Sequence, residues 1–140
     1  MASGIYNVFK YNCFGGNHDL EDNSPSDVIK VALMDDNHAF TATDEDWTDV
    51  SANELAAAGN YTTGGKTLAS QGITQAATTI FDAANVEWLN ATFTAYHAVI
   101  YNYTTGELIA SIDFAGAQSP AAVTFAIQWN ASGIITLAST

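Results

Sequence analysis

The sequence has no arginine and only three lysines against fifteen aspartates and glutamates, so its formal net charge is −12 over 140 residues. Proteins that bind nucleic acid need a basic surface that neutralises phosphates and releases counterions. This chain would repel nucleic acid and anionic membrane alike, so we expect neither as a partner. Repulsion between copies favours solubility, and a protein partner is expected to offer a neutral or basic surface.

Cysteine and long apolar runs are also scarce. Cys13 is the only cysteine, which excludes an intrachain disulfide and predicts a small buried hydrophobic residue. No apolar stretch approaches the roughly 20 residues of a membrane-spanning helix. The opening residues, MASGIYNVFKYN, lack the basic and apolar regions of a secretory signal.

No catalytic or cofactor-binding motif stands out. The stretch Gly59–Thr67 resembles a phosphate-binding loop, but it carries one extra glycine and precedes a poor helix, so it is better interpreted as a turn. His18, His38 and His97 lie far apart and do not show metal-ligand spacing. We therefore expect no enzyme activity, no cofactor and no metal site.

Acidic residues cluster at 19–22, 35–36 and 44–49. Carboxylates close in sequence suit Ca²⁺, yet none of the clusters matches the loop of an EF-hand. Solvated acidic loops are the favoured interpretation, and calcium binding by these loops stays open.

The strand pattern is the main structural signal. Val28–Met34 is apolar on both faces, which predicts a strand covered on both sides. Short β-rich runs separated by turn residues follow from Tyr61 onward and indicate a sandwich or barrel. In Leu108–Phe114 the alternation predicts Ser111 and Asp113 facing outward. The aromatic run Gly4–Phe14 also predicts a strand, and residues 17–27 predict a surface loop.

A helix is predicted at 44–56. Thr43 or Asp44 can cap its start, and the acidic residues that follow suit the positive end of the helix dipole. We expect this helix to lie across the end of a sheet.

Together these patterns predict an all-β fold of eight or nine strands. The expected architecture is a two-sheet antiparallel β-sandwich, a jelly roll or Ig-like Greek key, with one short helix near 44–56. It is a single domain, with an N-terminal strand and acidic loop at 1–27 and the sandwich at 28–140. The ten residues expected in its core are Val31, Leu33, Trp47, Val50, Trp88, Ile112, Phe114, Phe125, Ile127 and Trp129.

Several ordered blocks resemble a family of small virion proteins of tailed bacteriophages. The blocks are VALMDD…W-x-DVSANEL at 31–55, GNYTTGGKTL at 59–68, FDAANVEW at 81–88, YHAVIYN at 96–102, LIASIDFAG at 108–116 and FAIQWNASGIITL at 125–137. At His97 the family more often carries an arginine. The resemblance covers about residues 28–138.

The resemblance implies a non-enzymatic structural protein of the phage virion. The more specific expectation is a capsid decoration, or cement, protein that is made in the host cytoplasm and binds the outside of the assembled head. Its partner would be the major capsid protein, contacted through residues 1–27 and the acidic loops, and it would form a symmetric homo-oligomer.

An alternative is a tail, neck or fibre-associated module with a joining or glycan-binding role. In that case exposed aromatic residues such as Tyr61, Tyr101 and Tyr103 would stack on host glycans.

Overall fold

The computed structural model describes residues 3–21 and 26–138. Ten strands, two helices and one 3-10 turn lie in these ranges. They are β1 (Gly4–Ile5), α1 (Asn7–Gly15), β2 (Ile29–Met34), α2 (Trp47–Val50), a 3-10 turn (Ser51–Asn53), β3 (Lys66–Thr67), β4 (Gly72–Thr74), β5 (Thr78–Asp82), β6 (Val86–Thr92), β7 (Ala95–Asn102), β8 (Leu108–Gln118), β9 (Ala121–Ile127) and β10 (Ile135–Ala138).

The strands form antiparallel sheets, and the fold is all-β and sandwich-like, as the turn spacing predicts. The largest sheet has the order β1-β8-β7-β2-β3, and a three-stranded sheet has the order β10-β5-β4. β6 and β9 form a separate pair. The consecutive strands β6 and β7 therefore belong to different sheets, as do β8 and β9, so each of these connections passes from one sheet to another.

β2 confirms the prediction of a strand covered on both sides. Its residues Ile29, Val31 and Leu33 belong to the larger apolar cluster, which also contains Trp88 and Ile127 from the smaller sheets. Ala32 and Met34, which point the other way, belong to a second cluster with residues from both helices. Because successive side chains of a strand alternate in direction, one six-residue strand contributes to both cores.

The strand predicted at Gly4–Phe14 is wrong beyond Ile5. After β1, the chain forms α1, which ends at Gly16 in the left-handed region (φ 71°) with its N–H bonded to the Asn12 carbonyl. Phe9 and Asn12, one helical turn apart, are the buried residues of α1. Tertiary packing of this face outweighs the β propensity of the aromatic residues.

The predicted 44–56 helix is shorter and begins later. It runs from Trp47 to Val50 and continues as the 3-10 turn. The start is set by Asp49, whose carboxylate accepts hydrogen bonds from the backbone N–H groups of Glu45 (2.9 Å) and Asp46 (3.0 Å). Asp46 is therefore the N-cap rather than Thr43 or Asp44.

Residues 35–55, here called the covering segment, lie over one face of the large sheet instead of across its end. The segment leaves β2 after Met34 and returns beside it, where the Leu55 N–H donates to the Leu33 carbonyl (3.0 Å). Between these points it contributes Phe40, Trp47 and Val50 to the second apolar cluster.

The alternation predicted for β8 is interrupted. Ile100 pairs with Ala110 but Tyr101 pairs with Leu108, so Ile109 is an extra residue and forms a bulge. The bulge places Leu108 in the second cluster and Ala110 in the first. Ser111 lies on the face opposite Ala110, as the alternation predicts, but it is buried there because the covering segment lies over that face.

Of the ten residues expected in the core, five are buried and five are partly buried. Val31, Leu33, Val50, Trp88 and Ile127 are buried. The partly buried residues, which pack against the clusters, are Trp47, Ile112, Phe114, Phe125 and Trp129.

Candidate functional site

The segments 31–55 and 59–68 contact each other through a set of hydrogen bonds. Glu54, the last polar residue of DVSANEL, accepts a hydrogen bond from the Tyr61 hydroxyl (2.7 Å) and another from the Gly64 N–H (2.5 Å). The Tyr61 oxygen in turn accepts from the Leu33 N–H (3.1 Å). Burial raises the pKa of Tyr61, and the Glu54 carboxylate raises it further. This latch, formed by Leu33, Glu54, Tyr61 and Gly64, ties three separate segments together.

Glycines are required where the latch meets the sheet. Gly65 has φ 73°, and a Cβ there would lie 2.0 Å from the Val31 carbonyl oxygen. Any other residue would combine an unfavourable backbone conformation with a clash. The Gly64-Gly65 pair therefore forms a tight turn against β2, as the sequence predicts.

Aromatic residues extend from the latch to the surface. The Tyr101 hydroxyl donates to the Gly64 carbonyl (2.8 Å), and the Tyr101 ring stacks on Trp47 with centroids 4.2 Å apart. The ammonium of Lys30 lies 4.0 Å from the Tyr103 ring centroid. Tyr61 and Tyr101 are buried, contrary to the expectation of a glycan platform, and Tyr103 alone of the three tyrosines is exposed.

Two of the scattered histidines meet under the covering segment. His38 Nε2 lies 2.9 Å from Ser111 Oγ, and the His38 and His97 rings have centroids 5.2 Å apart. His97 Nδ1 lies 3.7 Å from Asp113 Oδ1. Burial is the main cause that lowers the pKa of His38 to about 4, and the neighbouring His97 contributes to the same shift.

Ser111, His38, His97 and Asp113 contact one another in this order. The arrangement resembles a catalytic nucleophile with its general base. Here both His38 and Ser111 are only 2% exposed. A substrate would have to displace the covering segment to reach the serine oxygen. In this arrangement the cluster joins that segment to β7 and β8 as part of the polar interior.

The third histidine belongs to another polar cluster, behind α1. His18 Nδ1 lies 3.0 Å from the Asn102 amide nitrogen, which also donates to Asp27 Oδ2 (2.7 Å). His18 Nε2 lies 3.6 Å from a Glu107 oxygen, and Asn12 donates to the other oxygen of Glu107 (2.6 Å). Desolvation lowers the pKa of His18. The described part of 17–27 is therefore partly built into the interior, whereas Pro25 lies outside the described residues.

An apolar groove of about 440 Å³ opens between α1 and the three-stranded sheet. Phe9, Cys13 and Phe14 line one wall, while Ile73, Phe81 and Leu137 line the other. Phe14 is 91% exposed and Leu137 is 67% exposed, so the rim is apolar and open. Cys13 is exposed, contrary to the prediction of burial, because it lies on the groove side of α1.

The acidic residues are concentrated elsewhere. Asp36, Glu45, Asp46 and Asp49 are exposed on the covering segment. Hydrogen bonds from backbone N–H groups lower the pKa of Asp49. Among the described residues, no three His, Cys, Asp or Glu side chains converge as metal ligands would.

Sequence reasoning missed both histidine clusters and the groove. His38 and Ser111 are 73 residues apart and meet because the covering segment folds over β8. The register of β7 with β8 places His97 opposite Asp113. The one available signal was the absence of charged side chains from the last 27 residues.

None of the helices in residues 3–21 and 26–138 has the length and apolar character needed to cross a membrane. Comparisons with family models, with curated proteins and with solved structures gave no match to this chain.

Proposed function

We propose that the protein is a structural component of a bacteriophage virion, and specifically a capsid decoration protein that binds the outside of the assembled head. The observation that carries this proposal is the latch. The blocks that resemble the virion family, DVSANEL and GNYTTGG, form hydrogen bonds to each other through Glu54, Tyr61 and Gly64. Their co-occurrence therefore has a structural reason that requires no catalysis.

The distribution of charge supports the same proposal. Eleven of the fifteen acidic residues lie in the first 66 positions. Within the covering segment, four acidic residues are exposed to solvent: Asp36, Glu45, Asp46 and Asp49. A surface of this kind attracts a basic protein surface and repels packaged nucleic acid. We propose that the covering segment, together with part of residues 1–27, contacts the major capsid protein.

Binding to capsids tests the proposal. Purified protein is mixed with capsids of its own virus that lack it, and the pellet is analysed after sedimentation. We expect saturable binding at hundreds of copies per particle. The double variant Asp36→Asn/Glu45→Gln should bind more weakly, whereas Glu87→Gln, an exposed acid on β6, serves as a control with unchanged binding.

The alternative location gives a different result. A tail, neck or fibre component would be present at a few to tens of copies and would not bind empty heads. Absence of head binding, together with labelling of tails only, would overturn the decoration proposal.

A further inference from the structure

Among residues 3–21 and 26–138, those of β10 and of the groove beside it carry no acidic side chain. The ionisable groups among these lining residues are Lys10, His18 and Cys13. Residues 114–140 contain no Asp, Glu, Lys, Arg or His, although the chain as a whole carries fifteen acids. Two copies with a net charge of −12 each would meet least repulsion at such a surface.

The β10 strand also has an unpaired edge. Within residues 3–21 and 26–138, β5 is its hydrogen-bonded neighbour on one side and no strand pairs with it on the other. Its four residues carry neither charge nor proline, and its register with β5 is regular from Ile135 to Ala138. Proteins normally protect exposed edges with charge, proline, bulges or a cover.

The other edge strands show such protection or are very short. β1 and β3 have two residues each, and β4 has three, beginning at Gly72. β6 contains Glu87, and its pairing with β9 includes register shifts. β9 follows Pro120 and has Ala122 at φ 52°. β10 is thus the edge best suited to pairing with another strand.

We infer that a second copy of this chain docks here, with β10 of each copy pairing antiparallel across a twofold axis. The same strand edge of two copies can form hydrogen bonds when the strands run antiparallel. Both copies therefore use the same surface in the interface. The two three-stranded sheets would become one six-stranded sheet. Leu137 and Phe14 of each copy, which are now exposed, would be covered by the partner. This inference does not rest on the proposed function.

A matched pair of variants tests the inference. Leu137→Asp places like charges close together at the axis, where they destabilise the pairing. Leu89→Asp adds the same charge on β6, away from the groove, at a residue of similar exposure (64%). The oligomeric state of the full chain is measured by sedimentation equilibrium from about 1 µM to about 500 µM.

We expect the unaltered chain and Leu89→Asp to reach twice the monomer mass of 14.8 kDa. Leu137→Asp should weaken the dimer by at least about tenfold. The inference is overturned if the unaltered chain stays monomeric throughout, if it forms a trimer or larger ring, or if Leu137→Asp dimerises normally.

Cross-linking gives a readout that does not depend on the stability of the Asp variant. In a Cys13→Ser background, Leu137→Cys should cross-link to its counterpart with a short bismaleimide, because residues near the axis lie about 5–8 Å apart. Leu89→Cys in the same background should remain uncross-linked. Equal cross-linking of the two variants would contradict docking through β10.

Discussion

The covering segment and the three-stranded sheet are two outer layers of the molecule that meet solvent in opposite ways. The covering segment fills its inner side with Phe40, Trp47 and Val50 and exposes acids outward. The three-stranded sheet has no charged residue on β4 or β10 and leaves Leu137 uncovered. The large apolar side chains of the covering segment pack within the monomer. The three-stranded sheet leaves apolar surface exposed, which suits contact with a partner.

The comparison also separates two kinds of contact in the proposed virion role. An acidic surface attracts a partner through long-range charge, and that attraction weakens as salt rises. An apolar strand edge binds through burial and backbone hydrogen bonds, which salt affects little. Capsid binding should therefore weaken as salt rises, whereas self-association through β10 should not weaken.

The largest expected effect is a difference in unfolding free energy between alanine substitutions of two leucines, Leu33 and Leu137. Leu33→Ala removes a fully buried side chain of β2 and should cost about 2–5 kcal/mol of unfolding free energy. Leu137→Ala, at an exposed position of β10, should change monomer stability by less than about 0.5 kcal/mol. Urea denaturation at low protein concentration measures both, and similar costs would contradict the assignment of β10 as uncovered.

Acid should lower the free energy of unfolding through His38, which lies on the covering segment. Its pKa is about 4 when folded against 6.5 for a free imidazole, so the unfolded chain binds more protons between these values. Stability should therefore fall as pH drops from about 6.5 to about 4, by on the order of 3 kcal/mol from this group.

The variant His38→Gln checks the assignment. Its stability should vary less over that pH window, although it starts lower at pH 7 and retains the contribution of His18, whose pKa desolvation also lowers. Asp49 and Asp113, whose pKa values are lowered below 3.8, should act below the window. An unaltered slope in His38→Gln would show that other groups cause the loss.

Trp47→Ala tests how the covering segment is held. Trp47 is partly buried and stacks on Tyr101, so its truncation should cost about 2–3 kcal/mol, less than for a fully buried tryptophan. Thermal and urea denaturation measure the cost. If Trp47→Ala is as stable as the unaltered protein yet loses capsid binding, Trp47 acts at the interface instead.

Tyr61→Phe probes the latch alone. Removal of the hydroxyl leaves the buried Leu33 N–H without its partner and takes one donor from Glu54, so we expect a loss of about 1–2 kcal/mol. Tyr103→Phe removes a hydroxyl from an exposed ring and should have little effect. Equal losses in the two variants would mean that the latch does not contribute specifically.

Periodicity predicted the elements whose environment is set by their own residues. β2 is apolar on both faces, and both faces are covered. α1 was missed because its aromatic residues favour a strand, and burial of Phe9 against distant residues decides the conformation. The Ile109 bulge was missed because one extra residue leaves no mark in an alternating pattern, yet it moves Leu108 into the second cluster.

A three-dimensional reconstruction of the virus head is the most direct test of the central proposal, that this is a decoration protein. Particles of the virus that encodes the chain are reconstructed with and without it. We predict extra density at symmetric positions on the outer surface of the shell, with the covering segment toward the capsid protein. An unchanged shell, or extra density confined to the tail or neck, would contradict the claim.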